Sequence, residues 1–277
     1  MKDLVLIGPS AESSAPEWQR RSGAAGFRLT APGVIRLSGT TGDPALLEAA
    51  HAAHLDAFFL DPVLRRSDFR LLAMDMDSTL ITIECIDEIA DMIGVKPQVA
   101  AITEAAMRGE LDFPGALRKR VALLAGLEAS ALQRVYDERL RLSPGAENLL
   151  AAARTAGWTT LLVSGGFTFF TDRLKSRLGL DHTLANTLEI VDGRLTGQVL
   201  GDIIDAAAKA VRVRAACDAL GCPTSAAIVA GDGANDLAMM RLAGLSVAFR
   251  AKPVVRKEAT VSINHAGLDA LLHRLTD

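Results

Sequence analysis

Leu71-Leu72-Ala73-Met74-Asp75-Met76-Asp77-Ser78-Thr79 is the stretch from which the fold can be read. Four consecutive apolar residues end abruptly in a carboxylate. A strand covered on both faces of a parallel sheet has this pattern, because neither face meets water and no alternation is needed. Three further runs repeat it, at Thr159 to Val163, Ala227 to Ala230 and Val247 to Phe249. Helical patterns lie around them, at Ala146 to Thr155, Thr168 to Leu178, Ala206 to Leu220 and Asn235 to Ala243. The alternation predicts an α/β fold, a doubly wound parallel Rossmann-like sheet with helices on both faces. Ligands of such sheets bind beyond the carboxyl ends of the strands, which is where the polar residues of this chain gather.

One stretch breaks the alternation. Residues 86–143 have helical patterns at Ile86 to Ile93, Pro97 to Arg108, Pro114 to Leu124 and Ala129 to Leu140, with no clear strand. They predict a helical cap inserted after the first strand, placed to act as a lid. Upstream, residues 1–66 read as a small separate unit. Strands are expected at Leu4 to Ile7, Phe27 to Thr30, Val34 to Ser38 and Ala57 to Leu60, with helices at Pro16 to Ala25 and Leu46 to Leu55. Asp43-Pro44 starts the second helix, since Asp caps free N–H groups and Pro suits the first turn. The order βαββαβ is that of a ferredoxin-like unit. Asp61-Pro62 to Ser67 is expected as a linker, and residues 67–277 as the sheet domain.

Composition narrows the function. Of 277 residues, 49% are hydrophobic and 23% charged, an ordinary balance for a globular chain. Only 4% are aromatic, so the core must be built from Leu, Ala, Val and Ile. A net charge of -3 speaks against nucleic acid and anionic membrane as partners, because both select concentrated positive charge. No apolar run reaches the roughly 18 residues that span a bilayer. Cys85, Cys217 and Cys222 form no CxxC pair, and a reduced, cytoplasmic setting is expected.

Four clusters carry chemistry. Asp75 and Asp77 follow the first strand, where a turn brings both carboxylates to one cleft; one can attack phosphorus while the other moves protons. Asp, Ser and Thr are equally the residues of a capped turn. Gly231-Asp232-Gly233-Ala234-Asn235-Asp236 follows another strand and offers the hard oxygen ligands that Mg²⁺ prefers. A loop with a helix cap would look similar, but two acidic clusters at the ends of two parallel strands are stronger evidence than either alone. Ser164-Gly165-Gly166 offers a hydroxyl and free N–H groups ahead of a helix, as a phosphate cradle or a plain turn would. Lys209 lies on a helix, where a lysine either neutralises phosphate or is solvated.

In this order the clusters resemble the motifs of the haloacid dehalogenase superfamily of aspartate-nucleophile phosphatases. Met74 to Ala90 (MDMDSTLITIECIDEIA), Met107 to Phe113 (MRGELDF) and Ser164 to Thr168 (SGGFT) resemble its phosphoserine phosphatase branch. The likeness runs from about Leu71 to the C-terminus. Members of the branch often carry an ACT-like regulatory domain at the N-terminus, in keeping with the βαββαβ reading of residues 1–66.

The resemblance implies hydrolysis of O-phospho-L-serine to L-serine, the last step of serine biosynthesis, through an aspartyl-phosphate. Asp75 would be the nucleophile and Asp77 the general acid and base. Mg²⁺ would be held by Asp75, the backbone carbonyl of Asp77 and Asp232. Ser164, Gly165 and Lys209 would bind the phosphoryl oxygens, with Asn235 and Asp236 completing the surroundings. Glu84 would receive the substrate ammonium and Arg120 its carboxylate, and Met107 and Phe113 would line the pocket. By their own pattern, Arg118-Lys119-Arg120 is a solvated charge run, and Met107 and Phe113 are helix-bundle core. Transfer of phosphate to another alcohol such as homoserine, hydrolysis of another small phosphomonoester, and a non-catalytic amino-acid sensor are the competing readings. A homodimer is allowed by the sequence without being required by it.

Overall fold

The computed structural model describes residues 1–60 and 63–276. The N-terminal unit runs β1 (Lys2–Ile7), α1 (Ala11–Ser22), β2 (Gly26–Ala31), β3 (Val34–Thr40), α2 (Ala45–Ala52) and β4 (Asp56–Phe59), in the sheet order β2-β3-β1-β4. This is the expected βαββαβ order. The continuous apolar run of β1 has a physical reason: Leu4 and Leu6 pack with Trp18 and Leu46 of the two helices, while Val5 and Ile7 pack on the other face into the larger core. Asp43 accepts the Ala45 N–H at 2.9 Å, as a helix start should. The first helix differs from expectation. It begins at Ala11 and carries Pro16 inside it, on the solvent side, where the carbonyl left without an N–H partner is reachable by water.

The linker expected over 61–67 begins at Asp61 and Pro62, which lie outside the described residues. Its second half is not a plain linker: β5 (Leu64–Arg65) pairs with a C-terminal strand introduced below. The sheet domain then runs β6 (Leu71–Met74), the helical insert α3 (Cys85–Met92), α4 (Lys96–Met107), α5 (Phe113–Ala122) and α6 (Ser130–Arg134), then α7 (Ala146–Thr155), β7 (Thr159–Phe167), α8 (Thr168–Leu178), β8 (His182–Val191), β9 (Arg194–Leu200), α9 (Ala206–Ala219), β10 (Ala227–Gly231), α10 (Leu237–Met240), β11 (Leu245–Phe249), α11 (Pro253–Glu258), β12 (Val261–Ile263) and β13 (Leu275–Thr276). Among the described residues the sheet has seven strands, ordered β12-β11-β10-β6-β7-β8-β9.

All pairings in it are parallel except β8 with β9, an antiparallel hairpin that the sequence reading did not include. β6 is central and every residue of it is buried, as its apolar run requires. Crossing from β6 to β10 on one side and β7 on the other places three strand ends side by side. The helix expected at Asn235 to Ala243 is shorter: a 3-10 turn at Ala234–Asp236 leads into α10. No helix among the described residues is long and apolar enough to cross a membrane.

Candidate active site

The Asp75 N–H donates to the Ala230 carbonyl at 3.0 Å, carrying the β6–β10 register one residue past the strand. The chain then leaves the sheet. Asp77 is extended, and Ser78 takes a positive φ of 55°, an uncommon conformation for a side chain with a Cβ. That turn returns the chain so that Ser78 N–H meets the Ile83 carbonyl, and the Asp77 Oδ1 accepts the Cys85 N–H at the start of α3. Both carboxylates therefore line the same cleft, of about 540 Å³, between the sheet end and the inserted helices.

The second acidic loop is organised from within. Asp236 is fully buried, and its Oδ2 accepts the N–H groups of Asp232 and Gly233, each at 3.1 Å. Gly231 must lack a side chain, because a Cβ there would stand 2.5 Å from that oxygen. On the neighbouring helix, Asp205 caps α9 by accepting the Ala208 N–H, which sets the phase of the next residue. Lys209, 1% exposed, donates to Asp75 Oδ1 at 2.7 Å and to Asp236 Oδ1 at 2.8 Å. Burial opposes its charge, but the carboxylates of Asp236 and Asp75 outweigh that and raise its pKa. This lysine is thus no solvated side chain.

Negative charge still exceeds positive. One carboxylate oxygen from each of Asp75, Asp232 and Asp236 lies within 4.8 Å of the others, and Lys209 bonds to two of the three. Burial pushes the Asp75 carboxyl well up, and Asp236 and Asp77 add to it against Lys209. Asp232 is pushed up to about 7, by burial first and then by Asp236 and Glu84. Asp77 is pushed up to about 7 by burial and then by Glu84, against the hydrogen bond from Cys85. A hard divalent cation fits this set, since it supplies the missing charge and takes oxygen ligands.

Opposite the acids stands the Ser164-Gly165-Gly166 turn at the end of β7. Ser164 Oγ accepts the Gly166 N–H at 2.8 Å and lies 3.5 Å from Asp77 Oδ2. Both glycines sit in close approach to side chains of the cleft. A Cβ on Gly166 would come 2.6 Å from Asp77 Oδ2, and one on Gly165 would come 3.0 Å from the Phe113 ring. The turn is tied down by Asn186, which the sequence reading passed over. Buried in β8, Asn186 donates to the Gly165 carbonyl and accepts the Ile204 N–H, both at 2.8 Å.

The insert closes the cleft from above. Glu84, Met107, Phe113 and Arg120 all line it, as does Asn235 from below. Arg118 and Lys119 face solvent while Arg120 turns inward, so the charge run is split by helix phase. Arg120 lines the cleft, and its Nε is buried and bonds to no described residue. Glu84 is held by Ser78 Oγ at 2.7 Å. Met107 is 69% exposed, which rules out a helix-bundle core role for it. Lys252 is a further lining residue that sequence patterns did not flag; its backbone N–H donates to the Asp232 carbonyl. Cys85 is buried and its thiol is pushed well up by burial and by Asp77, as suits a packing residue.

Comparison with known proteins places this geometry among relatives. The family model of haloacid dehalogenase-like hydrolases matches residues 72–241. A phosphoserine phosphatase of Polaromonas sp. (strain JS666) is 56% identical over 216 residues, 76% of this chain and 92% of its own. The crystal structure of a HAD family hydrolase from Salmonella enterica serovar Typhi is similar over 100% of this chain and 99% of that one, with a TM-score of 0.89 and 33% identity. The structure of a substrate-bound phosphoserine phosphatase complex matches 75% of this chain and 99% of its own, with a TM-score of 0.70 and 36% identity.

Proposed function

The chain belongs to the haloacid dehalogenase-like hydrolase family, and from that premise we propose that it hydrolyses O-phospho-L-serine to L-serine and phosphate. The observation that carries this reading is the pairing of Asp75 and Asp77 in one cleft, with Lys209 bonded to the first and Arg120 and Glu84 facing them. Asp75 attacks phosphorus and becomes an aspartyl-phosphate, while the carboxyl of Asp77 passes its proton to the departing serine oxygen. Asp77, now a carboxylate, then takes a proton from the water that attacks the acyl phosphate, which restores both residues. A pKa of about 7 suits a group that must give and take a proton in one cycle. Ser164, the Gly165 N–H and Lys209 bind the phosphoryl oxygens, where transition-state charge spreads.

Mg²⁺ would be held by Asp75, Asp232 and the Asp77 backbone carbonyl, and would supply positive charge to the phosphate oxygens. The acids set its pH dependence. Their ordinary pKa is 3.8, and Asp77 and Asp232 are pushed up to about 7 in the folded chain. Between those values the folded state keeps protons that the unfolded state releases, so metal-free stability falls as pH rises through that window. Metal ligands must be deprotonated, so Mg²⁺ affinity is expected to rise about tenfold from about pH 6 to pH 8. Calorimetric titration at both pH values checks this, and equal affinities would contradict it.

Glu84 meets the substrate ammonium and Arg120 its carboxylate by a forked pair of hydrogen bonds. Arg120→Lys keeps the charge and loses the fork, so KM for phosphoserine is expected to rise about tenfold with a smaller change in kcat. An unchanged KM would remove Arg120 from this role. The substrate assignment itself is tested by phosphate release from a panel of phosphorylated metabolites with Mg²⁺, with EDTA as control and an acceptor alcohol such as homoserine in a parallel arm. Preference for phosphoserine, with free phosphate as product in both arms, supports it. Preference for another ester, or phosphate transferred to the alcohol, rejects it. Three free thiols accord with a reducing, cytoplasmic setting.

A further inference from the structure

β9 is the last strand of the seven-stranded sheet. Along its first residues lies the loop that joins α5 to α6, with Glu128 paired to Arg194 in antiparallel fashion. The Gly126 N–H donates to the Leu195 carbonyl, the Leu195 N–H to the Leu127 carbonyl and the Ala129 N–H to the Gly193 carbonyl, each at 2.8 Å. Arg194 closes this seam with its side chain. Its Nη1 donates to the Gly126 carbonyl at 2.8 Å and its Nη2 to Glu128 at 2.9 Å. Strand edges are commonly covered by a loop. Here the covering loop belongs to the insert that carries Arg120.

Gly197 brings the hairpin closer still. Its φ of 87° lies in the region that favours glycine, and a Cβ there would stand 2.9 Å from the Ala125 Cβ and 3.3 Å from the Ala122 Cα and carbonyl oxygen. The hairpin therefore touches α5 at its last residue and at the turn that follows. The cleft side of the same helix is a stripe spaced i, i+3, i+4 and i+7: Phe113, Ala116, Leu117 and Arg120 all line the catalytic cleft. Arg120 is the member of that stripe nearest the hairpin, two residues before Ala122. Phe113 is at the far end of the helix, roughly 14 Å away along its axis. Arg120 Nε bonds to no described residue, so where the guanidinium stands follows from where α5 stands.

We propose that the β8–β9 hairpin, through Arg194 and Gly197, positions α5 so that Arg120 can fork onto the substrate carboxylate, an inference that rests on the phosphoserine reading above. A forked pair of hydrogen bonds has to match the plane of the carboxylate, and a binding constellation tolerates only about 0.5 Å of misplacement. The seam supplies that precision from outside, since neither Arg194 nor Gly197 lines the catalytic cleft. They are positioning residues, and preference for an ester that bears a carboxylate is set in part from the hairpin.

The test compares O-phospho-L-serine with O-phosphoethanolamine, which has the phosphate and the ammonium but no carboxylate. Gly197→Ala presses a methyl group against the end of α5. Arg194→Ala removes both side-chain donors of the seam and keeps the test decisive where alanine at 197 disturbs folding; circular dichroism establishes which variants fold. In the parent chain phosphoserine is expected to have the lower KM. Its KM is expected to rise about fivefold in Gly197→Ala and about threefold in Arg194→Ala, with kcat for phosphoserine and kcat/KM for phosphoethanolamine within about twofold of the parent. A general loosening of the fold would instead slow both esters alike. Equal losses on the two esters, or a phosphoserine KM at the parent value in every variant that folds, overturns the proposal. Equal KM values for the two esters in the parent chain would overturn the carboxylate role of Arg120 itself and the proposal with it, a failure that shows before any variant is made.

Discussion

Asp75→Asn is expected to release phosphate at least about 10⁴-fold more slowly than the parent chain, with its fold intact. Asn has the shape of Asp but no anionic oxygen to attack phosphorus, so the covalent step has no donor. The scaffold survives because Asn keeps a carbonyl oxygen for Lys209, and Asp236 still partners that lysine. The raised pKa of Asp75 means that its charged form is disfavoured in the folded chain. Neutral Asn removes that penalty, so the metal-free variant should melt at or above the parent temperature at about pH 8. Steady-state phosphate release and a thermal melt on the same preparation check both halves. Activity within about tenfold of the parent would end the assignment of Asp75 as nucleophile.

Lys209→Met is expected to destabilise the chain by about 3–5 kcal/mol and to abolish activity together. The ammonium is 1% exposed and bridges two buried carboxylates. Methionine fills the volume, but Asp75 and Asp236 then face each other without a counter-charge. Removing one partner from a buried pair costs more than the pair contributes, because the remaining charge stays away from water. Protonation of Asp75, whose carboxyl burial already pushes well up, offers an escape, so the loss should be smaller at about pH 5 than at pH 8. Added Mg²⁺ should recover part of the stability and none of the turnover. Urea unfolding at both pH values is the measurement, and a loss below about 1 kcal/mol would show that Lys209 is not the electrostatic keystone described here.

Much of this was legible in the sequence because it is local. β6, β7, β10 and β11 declare themselves as short apolar runs, since strands buried on both faces need no polar side. β8 and β9 were missed because their faces are mixed and partly exposed, which resembles a loop. Their turn did carry a signal: Asp192-Gly193, both with positive φ, is a favoured hairpin pair. The helix after the second acidic loop was read too long, because Asp236 bends its own loop back onto the amides of Asp232 and Gly233 and so delays α10.

The same division holds within the site. Asp75, Asp77 and Asp232 sit in loops whose chemistry is written in a few adjacent residues. Asn186 and Lys252 act through contacts with segments remote in sequence, and neither has a neighbour that hints at it. Arg120 is intermediate. Its charge run looks solvated, and only helix phase separates the inward arginine from its two exposed neighbours.

The covalent role of Asp75 is the claim on which the rest depends, and acid quenching during turnover tests it most directly. Digestion and mass spectrometry of the parent chain, quenched within a turnover of phosphoserine and Mg²⁺, should find one added phosphoryl group on the peptide from this loop, localised to Asp75 and missing from Asp75→Asn. A phosphoryl group localised to Asp77 or to any other side chain, or full turnover with none captured under conditions that preserve acyl phosphates, would contradict the account.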